Sequence, residues 1–511
     1  MKLLRNIFPT IIFIFSLFIF SSILFLQRAF MTNFDEYDHI AAGYLMSLGK
    51  KIYLDFFSHH FPFPYYWTSF FTPFWNNELF SRSITIFRGS LILFYLISFL
   101  IVFFLLKNIK SKISFSLWIA LLSLFISLYH GNLILSESFS AIAIFSLFWI
   151  VAPIVLGWEE SDFRKTIASV FFASIGFWTQ PLLLILFPIP LLLSPRNNRV
   201  KISLALLLLN LFPILLFFLS GQLVHFIEQG FWFNFKVYPK YFIEERESNS
   251  KIFQSLICFI NNEKYFLSSF GNYVEQFQFI LHLFFLFFIG FVLKKKKLNL
   301  LIIVFLIFLS TRVREIKIFP GQIFNFGIFP FLTIASSSLI LLTINYYKKL
   351  KIFSFFILAA PFMLSFQTVN PIIEQSLKPG YNYHVFWSYR QDNGKILQDL
   401  SFPNEKILVY PHDVDLYFFA QRQPPDRFLY WFPWIDSVNK YREERLDVLV
   451  KNPPPVIFIG SLAFKNDPRF YEMFFPNLLN DYLLIYKNNQ ATGVYIRKDL
   501  LERVKPPYQV K

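Results

Sequence analysis

The sequence predicts an α-helical protein that crosses a membrane about eleven times and ends in a small soluble α/β domain. Three observations predict it. Apolar runs near the roughly 20 residues that span a bilayer recur along the first 367 positions. Short basic segments separate them, and beyond Thr368 the Phe and Leu runs give way to Pro, Asp, Arg and Tyr. Of 511 residues, 55% are hydrophobic and 73 are Phe, more apolar surface than a soluble chain needs.

The first run, Ile7 to Leu26, follows Lys2 and Arg5 as a secretory signal would. No small-residue cleavage site precedes Gln27 and Arg28, so it reads as a retained transmembrane helix. Further runs occupy 84–106, 113–129, 139–157, 166–180, 181–193, 202–220, 276–293, 298–311, 322–344 and 352–367. The pair that meets at Trp178-Thr179-Gln180-Pro181 reads either as two short helices or as one long broken helix.

Charge discriminates between these. With the N-terminus cytoplasmic, the basic loops Lys107 to Lys112, Arg164 and Lys165, Arg196 to Lys201, Lys294 to Lys297 and Lys348 to Lys351 all fall inside only if that pair crosses twice. The formal net charge of +16 is thus a topology signal, and its distribution between apolar runs argues against a nucleic-acid partner. The single cysteine, Cys258, excludes an intramolecular disulfide and a cysteine metal cluster.

The expected organisation is a multi-pass domain over 1–367, with outer loops 28–83 and 221–275, followed by an outer domain over 368–511. In the tail, Lys406 to Tyr410, Pro455 to Gly460, Tyr482 to Tyr486 and Gly493 to Arg497 read as strands. Val414 to Gln421 and Asp436 to Lys451 read as helices, and Lys487 to Gly493 as the turn of a terminal hairpin.

The first outer loop carries the sharpest local signal. From Phe34 to Gly49, the residues Tyr37, Ile40, Ala41, Tyr44, Leu45 and Leu48 fall at helical spacing, predicting an amphipathic helix on the membrane surface. Asn33 with Glu36 has capping-box spacing, and Gly49 suits the position just past a helix end. Asp35 and Glu36 are candidate site residues; the plainer reading is that acids in a first turn complement the helix dipole. Further on, His59-His60-Phe61-Pro62-Phe63-Pro64 combines imidazoles with a proline-stiffened aromatic segment. Adjacent histidines rarely share one metal ion, and no third ligand is spaced with them.

The order of a first helix, Asp35-Glu36, a Tyr37-containing helix ending near Gly49, Tyr53, Asp55 and then His60-Phe61-Pro62 resembles the first outer loop of the C-type (GT-C) glycosyltransferases, near protein O-mannosyltransferases and lipid A aminoarabinose transferases. The usual pattern there is a basic residue directly before Pro-Pro; here Phe61 and Phe63 intervene. Arg312-Val313-Arg314-Glu315-Ile316-Lys317 leading into Phe329-Pro330 is similar to the family's late basic outer loop, and Val409 to Phe428 to the soluble tails of bacterial members.

The resemblance implies transfer of a sugar from a polyprenyl-phosphate-linked donor to a hydroxyl of a lipid, glycan or protein acceptor. It implies Asp35 as general base, Glu36 assisting, and His60, Arg312, Arg314 and Lys317 on the donor phosphate. The bland reading of the Arg cluster is a salt bridge with Glu315 or a headgroup anchor. Glu137 is a possible acidic partner, or simply a helix N-terminal acid. Asp413 and Asp415 read as helix caps. No cofactor is required by this pattern, though a divalent metal is compatible with it. A bacterial inner membrane, with the tail periplasmic, follows from the resemblance. The rival classes are a transporter, for which no Asp, Glu or Lys lies inside the apolar spans, and a non-catalytic envelope scaffold.

Overall fold

The computed structural model describes residues 2–27, 34–74, 80–238, 260–261, 264, 273–312, 325–377, 383–460, 480–487 and 493–508. Along the chain the α-helices are α1 Lys2–Leu26, α2 Phe34–Ser47, α3 Phe63–Phe71, α4 Phe80–Leu105, α5 Ile109–Phe125, α6 Ser136–Val155, α7 Phe163–Thr179, α8 Pro188–Leu193, α9 Arg199–Leu219, α10 Leu223–Phe226, α11 Tyr273–Lys294, α12 Leu298–Arg312, α13 Asn325–Leu350, α14 Ile352–Leu377, α15 Tyr383–Asp399, α16 Asp415–Ala420, α17 Pro433–Asp436 and α18 Asn439–Lys451. The strands are β1 Leu408–Tyr410, β2 Val456–Ile459, β3 Tyr482–Lys487 and β4 Gly493–Arg497. Two compact units result: Met1–Met31, Ile84–Leu216 and Phe242–Tyr381 form the first, and Thr32–Ser83, Phe217–Tyr241 and Asn382–Lys511 the second.

The first unit is the membrane-spanning one, and the chain is a multi-pass membrane protein. Among the described residues, seven helices are long and apolar enough to cross a bilayer, and Pro181–Leu193, Leu298–Arg312 and Ile352–Gln367 are shorter apolar segments. With α7, these account for all eleven expected runs. α6 and α13 form the centre: almost every residue of α6 and all of 327–343 are buried, as expected of helices apolar on every side. Trp118 on α5 reaches into this centre and donates from Nε1 to the Thr333 carbonyl at 3.1 Å and to Ser336 Oγ at 2.9 Å. Hydroxyls of Ser336, Ser337, Ser338 and Thr343 donate to carbonyls three or four residues back, so no partner from water is needed.

The segment after Pro181 is a 3-10 turn, Pro181–Leu186, followed by α8. It doubles back along α7, because Ser161 Oγ, just before α7 begins, donates to the Leu193 carbonyl at 2.7 Å. Of the two readings open from sequence, the hairpin of short pieces is the one adopted. Two of the basic loops also meet. Glu159 accepts the backbone N–H groups of Lys107 and Asn108 at 2.8 and 2.6 Å and the ammonium of buried Lys165 at 2.9 Å, and Lys107 pairs with Asp162 at 2.7 Å.

In the second unit the sheet order is β1-β2-β4-β3, with β1 and β2 parallel and the other pairs antiparallel. All four strands lie in the segments that the sequence marked as strands, β3 running one residue further. The expected turn between β3 and β4 falls at 488–492, outside the described residues. α15 was not legible, its buried Ile396, Leu397 and Leu400 being outnumbered by polar neighbours. The π-helical turn Ile227–Val237 that continues α10 was equally unexpected. There Gln229 clamps the outer loop, accepting from Ser58 N–H at 3.0 Å and donating to the Tyr53 carbonyl at 2.7 Å.

α2 corrects one expectation. It is not amphipathic with a single buried face: Glu36 to Leu45 are all buried, the acidic Glu36 and Asp38 and the imidazole of His39 included. α3 packs along it at Gly43, and Tyr44 meets Phe418 of α16 edge-on at 5.8 Å. Gly49 has a φ of +84°, the left-handed conformation expected just past the helix end, while Asn33 lies outside the described residues.

A Cβ at Gly43 would stand 2.7 Å from Thr68 Cγ2 and 3.1 Å from the Ser69 nitrogen. Gly43→Val is therefore expected to destabilise the protein by about 1–3 kcal/mol through overpacking. The check is a lowered thermal midpoint of the detergent-solubilised protein; Gly89→Ala, where a Cβ meets nothing within 4 Å, should leave that midpoint unchanged.

Candidate functional site

The acidic turn of α2 is the centre of the second unit's polar cluster. Glu36 is fully buried and Asp35 half-buried. One turn on, Asp38 is 4% exposed and accepts a hydrogen bond from the Tyr65 hydroxyl, which accepts in turn from Ser58 Oγ at 2.7 Å. Its other carboxyl oxygen has no hydrogen-bond partner among the described residues. Burial pushes the Asp38 carboxyl up to about 7, opposed by the Tyr65 hydrogen bond and aided by the charge of Asp35.

His39 faces the opposite constraint. Its Nδ1 lies 2.5 Å from the Asp35 carbonyl, which assigns the proton to that nitrogen and leaves Nε2 a buried acceptor without a hydrogen-bond partner among the described residues. Burial, reinforced by neighbouring His60, holds the imidazole down to about 3, against the pull of Asp35. His39, His60 and His59 form a row, with ring centroids 5.8 and 4.1 Å apart. His59 Nδ1 lies 2.6 Å from the Tyr430 hydroxyl. His60, expected as a phosphate contact, is half-buried, and its carbonyl accepts from the Tyr53 hydroxyl at 2.8 Å. Among the described residues, no group of three or more His, Cys, Asp or Glu side chains is arranged to hold a metal ion.

The tail closes the cluster from its other side. Arg390 of α15 binds Asp413 at 2.7 Å and Asp415 at 2.5 Å, and its guanidinium lies 4.3 Å from the Tyr37 ring centroid. This corrects the reading of the two aspartates as helix caps: Leu416 N–H is taken by the Asp413 carbonyl, and both carboxylates are committed to Arg390. Burial still pushes Asp415 up to about 7, because one guanidinium serves two carboxylates with Glu36 nearby. His412, stacked on Phe432 at 5.4 Å, is lowered by burial, with Asp413 and Asp35 opposing.

The Asp35 charge is felt by Asp38, His39, Tyr238, Tyr430 and His412. Aromatic faces run beside these groups: His59 to Tyr238 at 5.2 Å, Tyr238 to Trp434 at 5.6 Å and Phe432 to Trp434 at 4.5 Å. A half-buried carboxylate next to flat apolar faces and neutral hydrogen-bonding groups suits a hydroxyl-bearing ligand whose proton must be removed.

The remaining expected residues lie in the first unit. Glu137, in the first turn of α6, is buried and accepts from Gln180 Nε2 at 3.1 Å, at the point where α7 breaks. Arg312, at the end of α12, is buried, lies 2.9 Å from His282 Nε2 and covers the Phe331 ring at 4.0 Å. Arg314 and Lys317 lie outside the described residues.

Sequence reasoning missed Asp38, His39, Tyr65 and Arg390. For the first two a signal existed, since Asp38 follows Asp35 by three positions and so shares its side of the helix. Tyr65 and Arg390 carried none, being single polar groups within aromatic or polar stretches.

A carboxyl with its ordinary value near 3.8 when unfolded and about 7 when folded binds more protons folded than unfolded between those values. Its stabilisation is thus present at acid pH and lost as pH rises through 7. Asp415 acts with the same sign, whereas the depressed His39 loses its contribution as pH falls from 6.5 towards 3. Above pH 6.5 only the carboxyl effect remains, so the thermal midpoint should fall between about pH 6.5 and 8. Asp38→Asn should flatten part of that fall, and an unchanged profile would show that Asp38 does not titrate there.

No family model matches the chain, and no curated protein matches its sequence. Among solved structures, the chain is similar to the archaeal oligosaccharyltransferase AglB from Archaeoglobus fulgidus in complex with an inhibitory peptide and a dolichol-phosphate, at 11% identity over 99% of this chain and 76% of that one, with a TM-score of 0.47. It is also similar to the Archaeoglobus fulgidus oligosaccharyltransferase in the apo form, at 12% identity over 98% of this chain and 76% of that one, with a TM-score of 0.49.

Proposed function

We propose that the protein transfers a sugar from a polyprenyl-phosphate-linked donor to an acceptor hydroxyl on the outer face of a bacterial inner membrane, with inversion and with Asp35 as general base. One observation carries the reading. Of the five carboxylates gathered in the second unit, Glu36, Asp38, Asp413 and Asp415 are at most 8% exposed, and only Asp35 is half-buried. Asp38 is engaged by Tyr65, and Asp413 and Asp415 by Arg390. The ordered resemblance of Asp35-Glu36, Tyr53, Asp55 and His60-Phe61-Pro62 to the C-type outer loop supports the same assignment.

The chemistry is a single displacement. The acceptor oxygen forms a bond to the anomeric carbon as the bond from that carbon to the phosphate oxygen breaks; the hydroxyl proton passes to Asp35, and polyprenyl phosphate leaves. A positioned base typically contributes about 10²- to 10⁴-fold. Glu36 assists in orienting the acceptor. In this reading His60, Arg312, Arg314 and Lys317 meet the negative charge that grows on the departing phosphate, and Glu137 is an acidic partner.

A second reading, transport, is favoured by one specific observation. Arg88 and the Arg312–His282 pair are buried ionisable groups in the membrane-spanning unit, where such residues often mark a translocation path.

Envelope glycolipids and glycoproteins compared by mass spectrometry in cells carrying wild-type protein, a deletion or Asp35→Asn at matched levels decide between these. The expected outcome is loss of one sugar addition in both altered strains, with purified Asp35→Asn retaining donor binding but slower by about 10²- to 10⁴-fold. Loss in the deletion alone would remove Asp35 as the base. No change in either strain would leave the field to transport or to an envelope scaffold.

A further inference from the structure

Away from the acidic cluster, the first unit carries a groove of about 430 Å³ between α11, α13 and the start of α14. Phe287, Gly290, Phe291 and Ile357 make it apolar, while Lys294, Thr343 and Tyr346 stand at one end. It opens towards the surroundings, since Leu286 and Phe287 are 51% and 62% exposed. Gly290 leaves a notch in it, because a side chain there would meet nothing within 4 Å.

The polar end of this groove is strongly basic. Lys294 to Lys297 follow the groove wall on α11, and Lys348, Lys349 and Lys351 follow that on α13; all seven are exposed. The two lysine sets are brought side by side by Phe291 and Tyr346, which meet edge-on at 6.4 Å. Lys295 Nζ lies over the Phe291 ring at 5.1 Å, and Lys349 Nζ over the Tyr346 ring at 6.0 Å. No Asp or Glu occurs from Gly290 to Leu300 or from Thr343 to Phe356, so neither stretch supplies a counter-charge of its own.

We propose that this groove binds an anionic phospholipid of the surrounding bilayer, with an acyl chain against Phe287, Gly290 and Phe291 and the phosphate held at the lysine end. The apolar channel alone would accept any acyl chain, so the charge supplies the selectivity. Basic pockets between transmembrane helices bind anionic headgroups in this way, and the attraction weakens as salt screens it. The site is separate from the acidic cluster in the second unit and stands whatever reaction the protein performs.

The test uses the purified full-length protein exchanged into detergent with phosphatidylglycerol or phosphatidylcholine, retained lipid being counted by native mass spectrometry. The wild type should retain phosphatidylglycerol about tenfold better, a difference reduced by high salt. Gly290→Leu, which fills the notch without changing charge, should lower retention of phosphatidylglycerol. Lys294→Gln with Lys295→Gln and Lys349→Gln, all exposed and so harmless to folding, should abolish the preference between the two lipids. Equal retention of both lipids by the wild type would overturn the proposal. So would a preference unaffected by the lysine substitutions, or displacement of phosphatidylglycerol only by a polyprenyl phosphate or by a second copy of the chain.

Discussion

The second unit depends on one guanidinium. Arg390 is 3% exposed, bound to Asp413 and Asp415 and set against the face of Tyr37. Two neighbouring segments of the tail, α15 and the β1–α16 turn, are tied through it to the start of α2, some 350 residues earlier in the chain. Removing water from a guanidinium and two carboxylates is costly, and the arrangement persists only because their geometry satisfies them mutually. Such a group specifies position more than it adds stability: it fixes where the first turn of α2 stands, and with it Asp35 and Glu36.

That constraint explains why α2 is not the surface helix its apolar spacing suggests. The periodic residues Tyr37, Ile40, Ala41, Tyr44 and Leu45 are buried as the pattern requires, but so are Asp38 and His39 on the intervening positions. Periodicity reports which positions want an apolar partner; it does not report that Tyr65 waits for Asp38 or that the Asp35 carbonyl waits for His39. Those partners come from α3, 27 residues away, in one case and from the same helix turn in the other.

Most of the fold was nevertheless legible, because its strongest signals are one-dimensional. A bilayer demands long apolar runs, and each of the eleven is helical. All four tail strands fall in the segments read as strands, and near Pro181 the chain adopts the hairpin of short pieces that the basic loops favoured, with Ser161 meeting Leu193. What escaped were elements held by tertiary partners. α15 has few apolar residues and is anchored through Arg390, and the π-helical turn after α10 is held by Gln229 against the loop carbonyl of Tyr53. Of the candidate site, Asp35, Glu36 and His60 were singled out in the sequence, through an order along the chain that could be compared with a known pattern.

Two carboxyls a helical turn apart, Asp35 and Asp38, share one low-dielectric neighbourhood, and ionising both there would set like charges against each other. The surroundings break the tie. Asp38 is enclosed, held by the Tyr65–Ser58 hydroxyl chain and kept up to about 7, while Asp35 retains contact with solvent. His39 beside them is held neutral by its burial. The difference between the two acids therefore arises chiefly from burial: the same residue type, three positions apart, is an enclosed hydrogen-bonding group in one place and a half-buried carboxyl in the other.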